Sequence, residues 1–199
     1  FVSNRPGAVR YGTSGQPVPG YKVKLVDDGG SEVHAGEIGE LWVSGPTSCA
    51  YYWNHPEKSQ STFVGEWTRT GDKYRQDSLG DLVFCGRGDD MLKVGGIWVS
   101  PLEVESVLVS HEAVLEAVVV GSSDENGLVK PRAFVVVKAG TLPTDELKQK
   151  LKDFVKDKLA PYKYPRWVQF VPELPKTATG KVQRFRLRQL ARDDSSERA

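Results

Sequence analysis

Cysteine and histidine are scarce in this chain of 199 residues. Cys49 and Cys85 are far apart and lack the spacing of a metal site, so a reduced protein is a simpler interpretation than a disulfide-built one. His34, His55 and His111 are scattered, and their positions indicate neither a metal site nor a catalytic triad. We therefore predict no metal-binding residues in the chain.

An excess of either charge is also lacking, because 27 Lys and Arg residues stand against 26 Asp and Glu residues. The formal net charge of +1 implies no general attraction to nucleic acid or to a membrane. The basic run at 181–188 is better explained as a solvated helix face. No apolar run approaches the length of a membrane span, and no signal peptide opens the chain. These features predict a cytoplasmic protein with no nucleic-acid or membrane partner.

Methionine occurs once, at Met91, and the chain opens on Phe1. An intact reading frame normally begins with Met, and the opening residues FVSNRPG resemble the interior of a domain. We therefore expect the chain to be a fragment or a truncated form of a longer protein.

The first half of the chain alternates short strand patterns with turns rich in glycine. Residues 1–20 are predicted as loop and turn, because glycine and proline recur throughout them. Strand patterns follow at 21–26, 39–43 and 81–85, with no helical pattern of any length between them. Such a series predicts a small β-barrel-like or sandwich subdomain over residues 1–86.

The second half contains clear helix signals. Ser100, Pro101 and Glu103 mark a helix start, with a capping residue, a proline in the first turn and a capping box. The amphipathic stretch at 144–159 is the clearest helix. A loop is predicted at 161–181, followed by a short basic helix at 183–192.

Two nearly continuous apolar runs, at 114–120 and 133–137, predict strands that are buried on both faces. With the helices they indicate a compact α/β domain over residues 87–199. The predicted fold class is α+β, a β-rich subdomain followed by this α/β domain, with a hinge near 86–90. We also expect a disordered tail at 193–199.

An acidic residue follows a glycine at Thr70-Gly71-Asp72, which we interpret as the end of a loop. The glycine lets the backbone turn sharply, and one carboxylate can accept hydrogen bonds from both hydroxyls of a ribose. Three residues alone are a weak signal, and a turn or capping aspartate is the simpler explanation in an arbitrary protein.

Glycine and charged residues are concentrated in one stretch, GRGDDMLKVGGIWVSP at 86–101. Glycines permit unusual dihedral angles and a close approach of a ligand to the backbone. A β-hairpin with a charged turn explains the local shape, but it does not explain why so many such residues cluster here.

A loop rich in Thr and Gly ends in Lys181, within PELPKTATGKVQR at 172–184. Such a loop could bring an ammonium group to an anionic centre, whereas the usual fate of a single lysine is a solvated position. The stretch is not a Walker loop, because its spacing differs and no strand leads directly into it.

In this order and spacing, the three motifs resemble those of the AMP-forming ligase superfamily of acyl-CoA synthetases, luciferases and peptide-synthetase adenylation domains. The resemblance covers nearly the whole chain. Its signatures are GELWVSGP at 39–46, TRTGD at 68–72, GRGDDMLKVGG at 86–96, VSPLEVE at 99–105, LAPYKYP at 159–165 and PKTATGKVQR at 175–184. Residues 3–21 and the stretch DDMLKVGGIWVSP further resemble the benzoate–CoA ligase branch.

The resemblance implies roles in adenylation for four residues. Asp72 matches the aspartate that holds the ribose of ATP, and Arg87 matches an arginine that approaches the nucleotide. Lys181 matches the lysine that bridges the acid and the α-phosphate. Asp89 matches the hinge about which the small domain swings after adenylation.

The resemblance also implies roles in the second half-reaction. Gly95 and Gly96 match the loop that lines the pantetheine tunnel for CoA, and we place Trp98 beside the same tunnel as a trait of the branch. Lys93 matches a lysine that reaches the site in the second conformation.

These roles imply ATP, CoA and a carboxylic acid as substrates and Mg²⁺ as a cofactor, with its Glu ligand upstream of Phe1. Residues 1–86 would then end a large N-terminal domain, and the missing N-terminal portion would be a required partner, so the chain alone should be inactive. A lysine acetyltransferase and deacetylase acting on Lys181 are further expected partners, because related bacterial ligases are switched off by acetylation there.

Three alternatives to a benzoate-like acid–CoA ligase stay open. The acid could be a different one, or the chain could belong to an adenylation domain that loads a carrier protein, although the VSPLEVE and GGIWVSP motifs favour CoA. A non-enzymatic interaction or regulatory module is the alternative from another class.

Overall fold

The computed structural model describes residues 1–196, and the side chains of residues 1–193. Contacts within the chain divide it into two compact units, one ending at Asp89 and the other beginning at Asp90. This division falls within the range 86–90, where the sequence places a hinge. The hinge itself stays a prediction.

One antiparallel sheet contains most of the strands of the first unit. Its elements are β1 (Val2–Ser3), β2 (Gln16–Pro17), β3 (Lys22–Val26), β4 (Ile38–Ser44), α1 (Pro56–Thr62), β5 (Phe63–Val64), β6 (Trp67–Gln76) and β7 (Leu82–Arg87). The sheet order is β3-β4-β6, and β6 pairs along its other edge with both β5 and β7. Strands β1 and β2 form a separate antiparallel pair.

Strand β4 supplies the core of this sheet. Its burial alternates along the strand, which places Leu41 and Val43 on the inner face. Leu82 of β7 packs in the same apolar cluster, with Tyr74 against it. The strand patterns at 21–26, 39–43 and 81–85 are therefore confirmed as β3, β4 and β7.

Five elements of the first unit escaped the sequence analysis: the short strands β1, β2 and β5, helix α1 and strand β6. The pair β1–β2 lies in the stretch 1–20, so the prediction of loop and turn throughout that stretch is wrong. Helix α1 has no buried residue, so no apolar stripe indicates it, and Pro56 and Glu57 in its first turn are weak start signals. Strand β6 contains the TGD motif, which we had interpreted as the end of a loop. That interpretation is wrong, because the motif lies within the strand: residues on both sides of it pair with β4, and Asp72 pairs with Arg87 of β7.

The second unit packs helices against a short sheet. Its elements are β8 (Leu92–Val94), β9 (Ile97–Val99), α2 (Pro101–Val109), β10 (Val114–Ser123), β11 (Val129–Val137), α3 (Asp145–Lys158), a 3₁₀ turn (Pro161–Lys163), β12 (Trp167–Phe170) and α4 (Arg184–Ser196). Strands β10 and β11 form an antiparallel hairpin, and β12 joins β11 in parallel. Strands β8 and β9 form a small hairpin of their own.

Apolar clusters cover both faces of the β10–β11 hairpin. On one face, Val119 and Val135 pack in a cluster with Leu151 of α3. On the other, Phe134 packs in a cluster with Leu187 of α4. The prediction that both strands are buried on both faces is therefore confirmed.

The helix-start signals of the second unit are also confirmed. Ser100 Oγ accepts a hydrogen bond from the Glu103 N–H over 3.3 Å at the start of α2. Thr144 Oγ1 accepts one from the Leu147 N–H over 3.2 Å at the start of α3. The predicted β-rich and α/β halves are both present, which confirms the α+β fold class.

Two details of the second unit differ from the sequence expectations. Strand β12 and the 3₁₀ turn lie in the stretch 161–181, which we had expected to be loop throughout. Helix α4 continues to Ser196, so residues 193–196 are helical where disorder was expected. The rest of that tail lies outside the described residues. No helix in the described part of the chain is both long and apolar enough to cross a membrane.

Candidate functional site

Asp72 and Arg87 form the central pair of the first unit. They face each other across β6 and β7, and Arg87 Nη1 donates to Asp72 Oδ1 over 2.8 Å. Arg87 Nη1 also lies 3.3 Å from the carbonyl oxygen of Thr70. The Asp72 side chain is 26% exposed, so solvent and a ligand can reach a carboxylate that the guanidinium already orients.

A bulge in β6 presents the Asp72 carboxylate. The register between β4 and β6 shifts so that Leu41 faces the stretch 70–72. Thr70 Oγ1 donates to the Leu41 carbonyl over 2.8 Å and accepts from the Asp72 N–H over 3.1 Å. Gly71 has φ of 74°, and a Cβ there would lie 3.1 Å from Arg87 Nη2, so both the backbone and the guanidinium favour glycine.

Glu40 supports this bulge, although the sequence analysis gave it no role. Its carboxylate accepts hydrogen bonds from Arg69 Nε over 3.3 Å and from Arg69 Nη2 over 2.8 Å. Burial opposes ionisation of this carboxyl, but hydrogen bonding and charge from Arg69, with a bond from the Gly71 backbone, outweigh burial and hold the pKa of Glu40 below its ordinary value of 4.5. The GELWV pattern could have drawn attention to a charged residue on a core strand.

Asp89 ends the first unit and makes few contacts. Its side chain is 77% exposed, and its Oδ1 lies 3.8 Å from Arg87 Nε. The next residue, Asp90, is held much more firmly: its Oδ1 accepts from Arg188 Nη1 over 2.8 Å. A loosely held residue beside a firmly held one can absorb a backbone rotation.

The β8–β9 hairpin carries the glycine pair predicted for CoA. Gly95 and Gly96 form its turn with φ of 58° and 85°, and a Cβ at either would meet nothing within 4 Å. Lys93 and Trp98 are register partners in the two strands, and the Lys93 ammonium lies 5.0 Å from the centroid of the Trp98 ring. The hairpin therefore presents an exposed glycine turn beside a cation on an aromatic face.

Lys181 lies at the end of a tight turn and is exposed. The Thr177 N–H donates to the Lys181 carbonyl over 2.8 Å, and the Lys181 N–H donates to Thr177 Oγ1 over 3.1 Å. The Gly180 N–H donates to the Thr177 carbonyl over 2.9 Å, and Gly180 has φ of 81°. The backbone of the turn is thus ordered, while the lysine side chain is directed to solvent.

The predicted site residues are divided between the two units. The first contains Asp72, Arg87 and Asp89, and the second contains Lys93, Gly95, Gly96, Trp98 and Lys181. The structure pairs Asp72 with Arg87 and Lys93 with Trp98, and it gives Lys181 a turn of its own. Among the described residues, no group of three or more His, Cys, Asp or Glu side chains could hold a metal ion.

Comparison with known proteins defines the class of protein. The family described as AMP-binding enzyme C-terminal domain matches residues 103–181, and the AMP-binding enzyme family matches residues 1–53. The chain belongs to this superfamily of AMP-forming ligases.

Relatives within the superfamily are similar over nearly the whole chain. Benzoate–CoA ligase of Thauera aromatica is 61% identical over 189 residues, which are 94% of this chain and 36% of that ligase. A crystal structure of an anthranilate–CoA ligase in complex with anthranoyl-AMP matches with a TM-score of 0.90 and 53% identity, over 98% of this chain and 38% of the other. A benzoate–CoA ligase from Burkholderia xenovorans LB400 matches with a TM-score of 0.84 and 58% identity, over 94% and 37%.

These relatives are much longer than the chain. It spans 36% of the length of the Thauera aromatica ligase, which is about a third.

Proposed function

We propose that the chain forms the C-terminal portion of an AMP-forming acid–CoA ligase. The complete enzyme would activate a carboxylic acid with ATP to an acyl-adenylate, releasing diphosphate, and would then transfer the acyl group to CoA, releasing AMP. The observation that carries the proposal is the placement of the Asp72–Arg87 pair in one unit and of Lys181 and the glycine hairpin in the other.

Benzoate or a related aromatic acid is the substrate that we propose. Relatives named for benzoate and anthranilate match over more than nine-tenths of the chain, at identities above one half. No residue of an acid pocket is assigned within the chain, so the support for an aromatic acid is similarity alone.

Nucleotide binding is assigned to the first unit. The Asp72 carboxylate would accept hydrogen bonds from the ribose hydroxyls of ATP, since ionised carboxylates accept strongly and this one is accessible. Arg87 would hold that carboxylate in place and present its remaining N–H groups toward the nucleotide. The positive φ of Gly71 lets the backbone pass close to the Arg87 guanidinium, and this close approach supports the assignment.

Adenylation is assigned to Lys181. The reaction joins a carboxylate to a phosphate, so a positive charge between the two anions stabilises both their approach and the transition state. Lys181 is exposed at the end of an ordered turn, so its ammonium group can reach such a centre without unfolding the turn.

Thioester formation is assigned to the β8–β9 hairpin. Gly95 and Gly96 leave space on which an extended pantetheine chain could lie. Trp98 would flank this tunnel, and Lys93 would be brought to the site in the second conformation. Rotation at Asp89 would replace Lys181 by the β8–β9 hairpin at the site, as in enzymes that close and reopen a domain between steps.

The described residues do not by themselves provide a site for Mg²⁺. They include no group of three or more potential ligands.

Acetylation of Lys181 is a further part of the proposal. An exposed lysine is accessible to a lysine acetyltransferase and deacetylase, and acetylation removes the charge that adenylation needs. Lys181→Gln, which mimics the acetylated side chain, should suppress adenylation in the complete enzyme. Retention of adenylation by this variant would contradict the switch.

A chimera tests the proposed function. This chain would replace the matching C-terminal residues of Thauera aromatica benzoate–CoA ligase, and the purified chimera would be given ATP, Mg²⁺, CoA and benzoate. We expect release of AMP and formation of the thioester, neither of which the chain alone should produce. An inactive chimera that is folded and binds ATP would contradict the proposal.

A further inference from the structure

An ion-pair cluster lies inside the second unit, between α2, β10 and α4. Glu105 of α2 is 8% exposed, and it accepts hydrogen bonds from Arg184 Nη1 over 2.7 Å and from Arg184 Nη2 over 2.8 Å. Arg184 Nη1 also donates to the Val119 carbonyl over 3.0 Å, while the Val119 N–H donates to Glu105 Oε1 over 2.7 Å. The first residue of α4 is therefore fixed to strand β10.

Asp90 extends this cluster to the start of the unit. Its Oδ1 accepts from Arg188 Nη1 over 2.8 Å, and its Oδ2 lies 3.7 Å from Arg184 Nε. Arg184 and Arg188 lie one turn apart on α4, so the same face of the helix holds both Glu105 and Asp90. The residue that follows Asp89 is thus tied to α4 by two cations.

The Lys181 turn is attached directly to this cluster. Helix α4 begins at Arg184, and the Gln183 N–H donates to the Pro175 carbonyl over 2.8 Å. At the entry to the turn, Lys176 Nζ lies 2.7 Å from Glu116 Oε2 of β10. The turn is therefore fixed at both ends, and its exit is fixed through Arg184.

An ion-pair cluster of this kind adds little net stability. Removing charges from water costs about as much free energy as their attraction returns, and apolar residues of similar volume often stabilise equally well. What ion pairs supply better than apolar contacts is one defined geometry. Here the geometry relates Asp90 to the base of the Lys181 turn.

We propose that Asp90, Arg184 and Arg188 are positioning residues that couple rotation at Asp89 to the placement of Lys181. The proposal rests on the proposed function, and it deepens that function by naming the connection between hinge and lysine. The β8–β9 hairpin follows Asp90 directly in the chain, so its placement needs no such connection. Weakening the cluster should therefore impair adenylation more than thioester formation.

Asp90→Asn in the chimera tests this coupling, because it removes one charge with little change in shape. We expect the rate of adenylate formation to fall on the order of tenfold to a hundredfold, as for a small misplacement of a catalytic group. Thioester formation from supplied benzoyl-adenylate should stay within about twofold of the unsubstituted chimera. A purely structural defect would lower both rates together with the melting temperature.

A second variant keeps the test decisive if Asp90→Asn fails to fold. The Arg188 side chain is 35% exposed, so Arg188→Gln should be tolerated, and it should show the same split between the half-reactions. The double variant should be no slower than either single variant, because both break one connection. Lys150→Gln is the matched control, since it breaks an exposed pair with Glu146 on α3 and should leave both rates unchanged.

Failure of the coupling and failure of the proposed function give different results. An unsubstituted chimera that is folded but forms neither adenylate nor thioester overturns both. An active chimera in which Asp90→Asn or Arg188→Gln slows both half-reactions equally, or slows neither, overturns the coupling alone. Effects that simply multiply in the double variant also overturn it.

Discussion

Arg87 lies directly opposite Asp72 across strands β6 and β7, and the two side chains are joined by a hydrogen bond of 2.8 Å. The pairing orients the carboxylate before any ligand arrives, because a guanidinium is planar and holds an acceptor in a fixed direction. A preoriented acceptor loses little conformational entropy when it binds a ribose, so the pair is suited to nucleotide recognition.

Asp72→Asn should weaken ATP binding in the chimera. The amide keeps the shape but loses the charge, and a hydrogen bond to a charged group contributes about 1.5–3 kcal/mol. We expect the KM for ATP to rise roughly tenfold to a hundredfold, measured from initial rates of AMP release. Asp157→Asn, an exposed change on α3, is the control. An unchanged KM for ATP would count against the assignment.

Gly96→Val should impair thioester formation selectively. Gly96 has φ of 85°, a conformation that costs a β-branched residue about 1–3 kcal/mol, and the new side chain would occupy the proposed pantetheine surface. Formation of benzoyl-adenylate should be retained while its transfer to CoA falls. Gly140→Val is a matched control, because Gly140 has φ of 83° and equally open surroundings. Equal loss of transfer in both variants would indicate backbone strain alone.

Asp89→Pro should also impair transfer to CoA selectively, because it would block the proposed hinge. Proline fixes φ near −65°, so it removes the rotation that we assign to this position. We expect adenylation to continue and transfer to CoA to be lost, measured with each half-reaction in isolation. Asp89→Ala keeps backbone freedom and should support both steps. Normal transfer by the proline variant would place the hinge elsewhere.

Glu40 should make the stability of the chain depend on acidic pH. Its folded pKa lies below the ordinary 4.5, so its contribution is present above pH 4.5 and is lost as the pH falls through the folded pKa. Glu40→Gln should lower the free energy of unfolding by about 1 kcal/mol at pH 7 and flatten its decline in acid. Urea unfolding followed by tryptophan fluorescence measures both, with the exposed Glu125→Gln as control. An unchanged acid profile would remove the role given to Arg69.

Sequence patterns predicted the helices and strands whose signals lie within a few neighbouring residues. The caps at Ser100 and Thr144 were predictable because a capping hydroxyl and its N–H lie three residues apart. The apolar runs of β10 and β11 were equally clear, since both faces of that hairpin are covered. Strand β6 was missed because its sequence WTRTGDKYRQ is polar on both faces and contains a bulge.

In the candidate site, motifs predicted individual residues but not the contacts between them. The motifs predicted Asp72, Arg87 and Lys181 individually, and nothing in them indicated that Arg87 would bond Asp72 rather than a ligand. The pairing of Arg184 with Glu105 joins residues that are 79 positions apart. A single sequence does not show which positions far apart in the chain lie close together in space, so only the fold could reveal that cluster.

The most direct test of the central claim is the effect of Lys181→Ala on the two half-reactions of the chimera. Loss of one preorganised charge at the adenylation centre should reduce the rate of benzoyl-adenylate formation on the order of 10²–10³-fold. Transfer from supplied benzoyl-adenylate to CoA should stay near that of the unsubstituted chimera, and Lys150→Ala should leave both rates intact. Equal damage to both half-reactions, or none to adenylation, would contradict the account in which Lys181 serves the first step and leaves before the second.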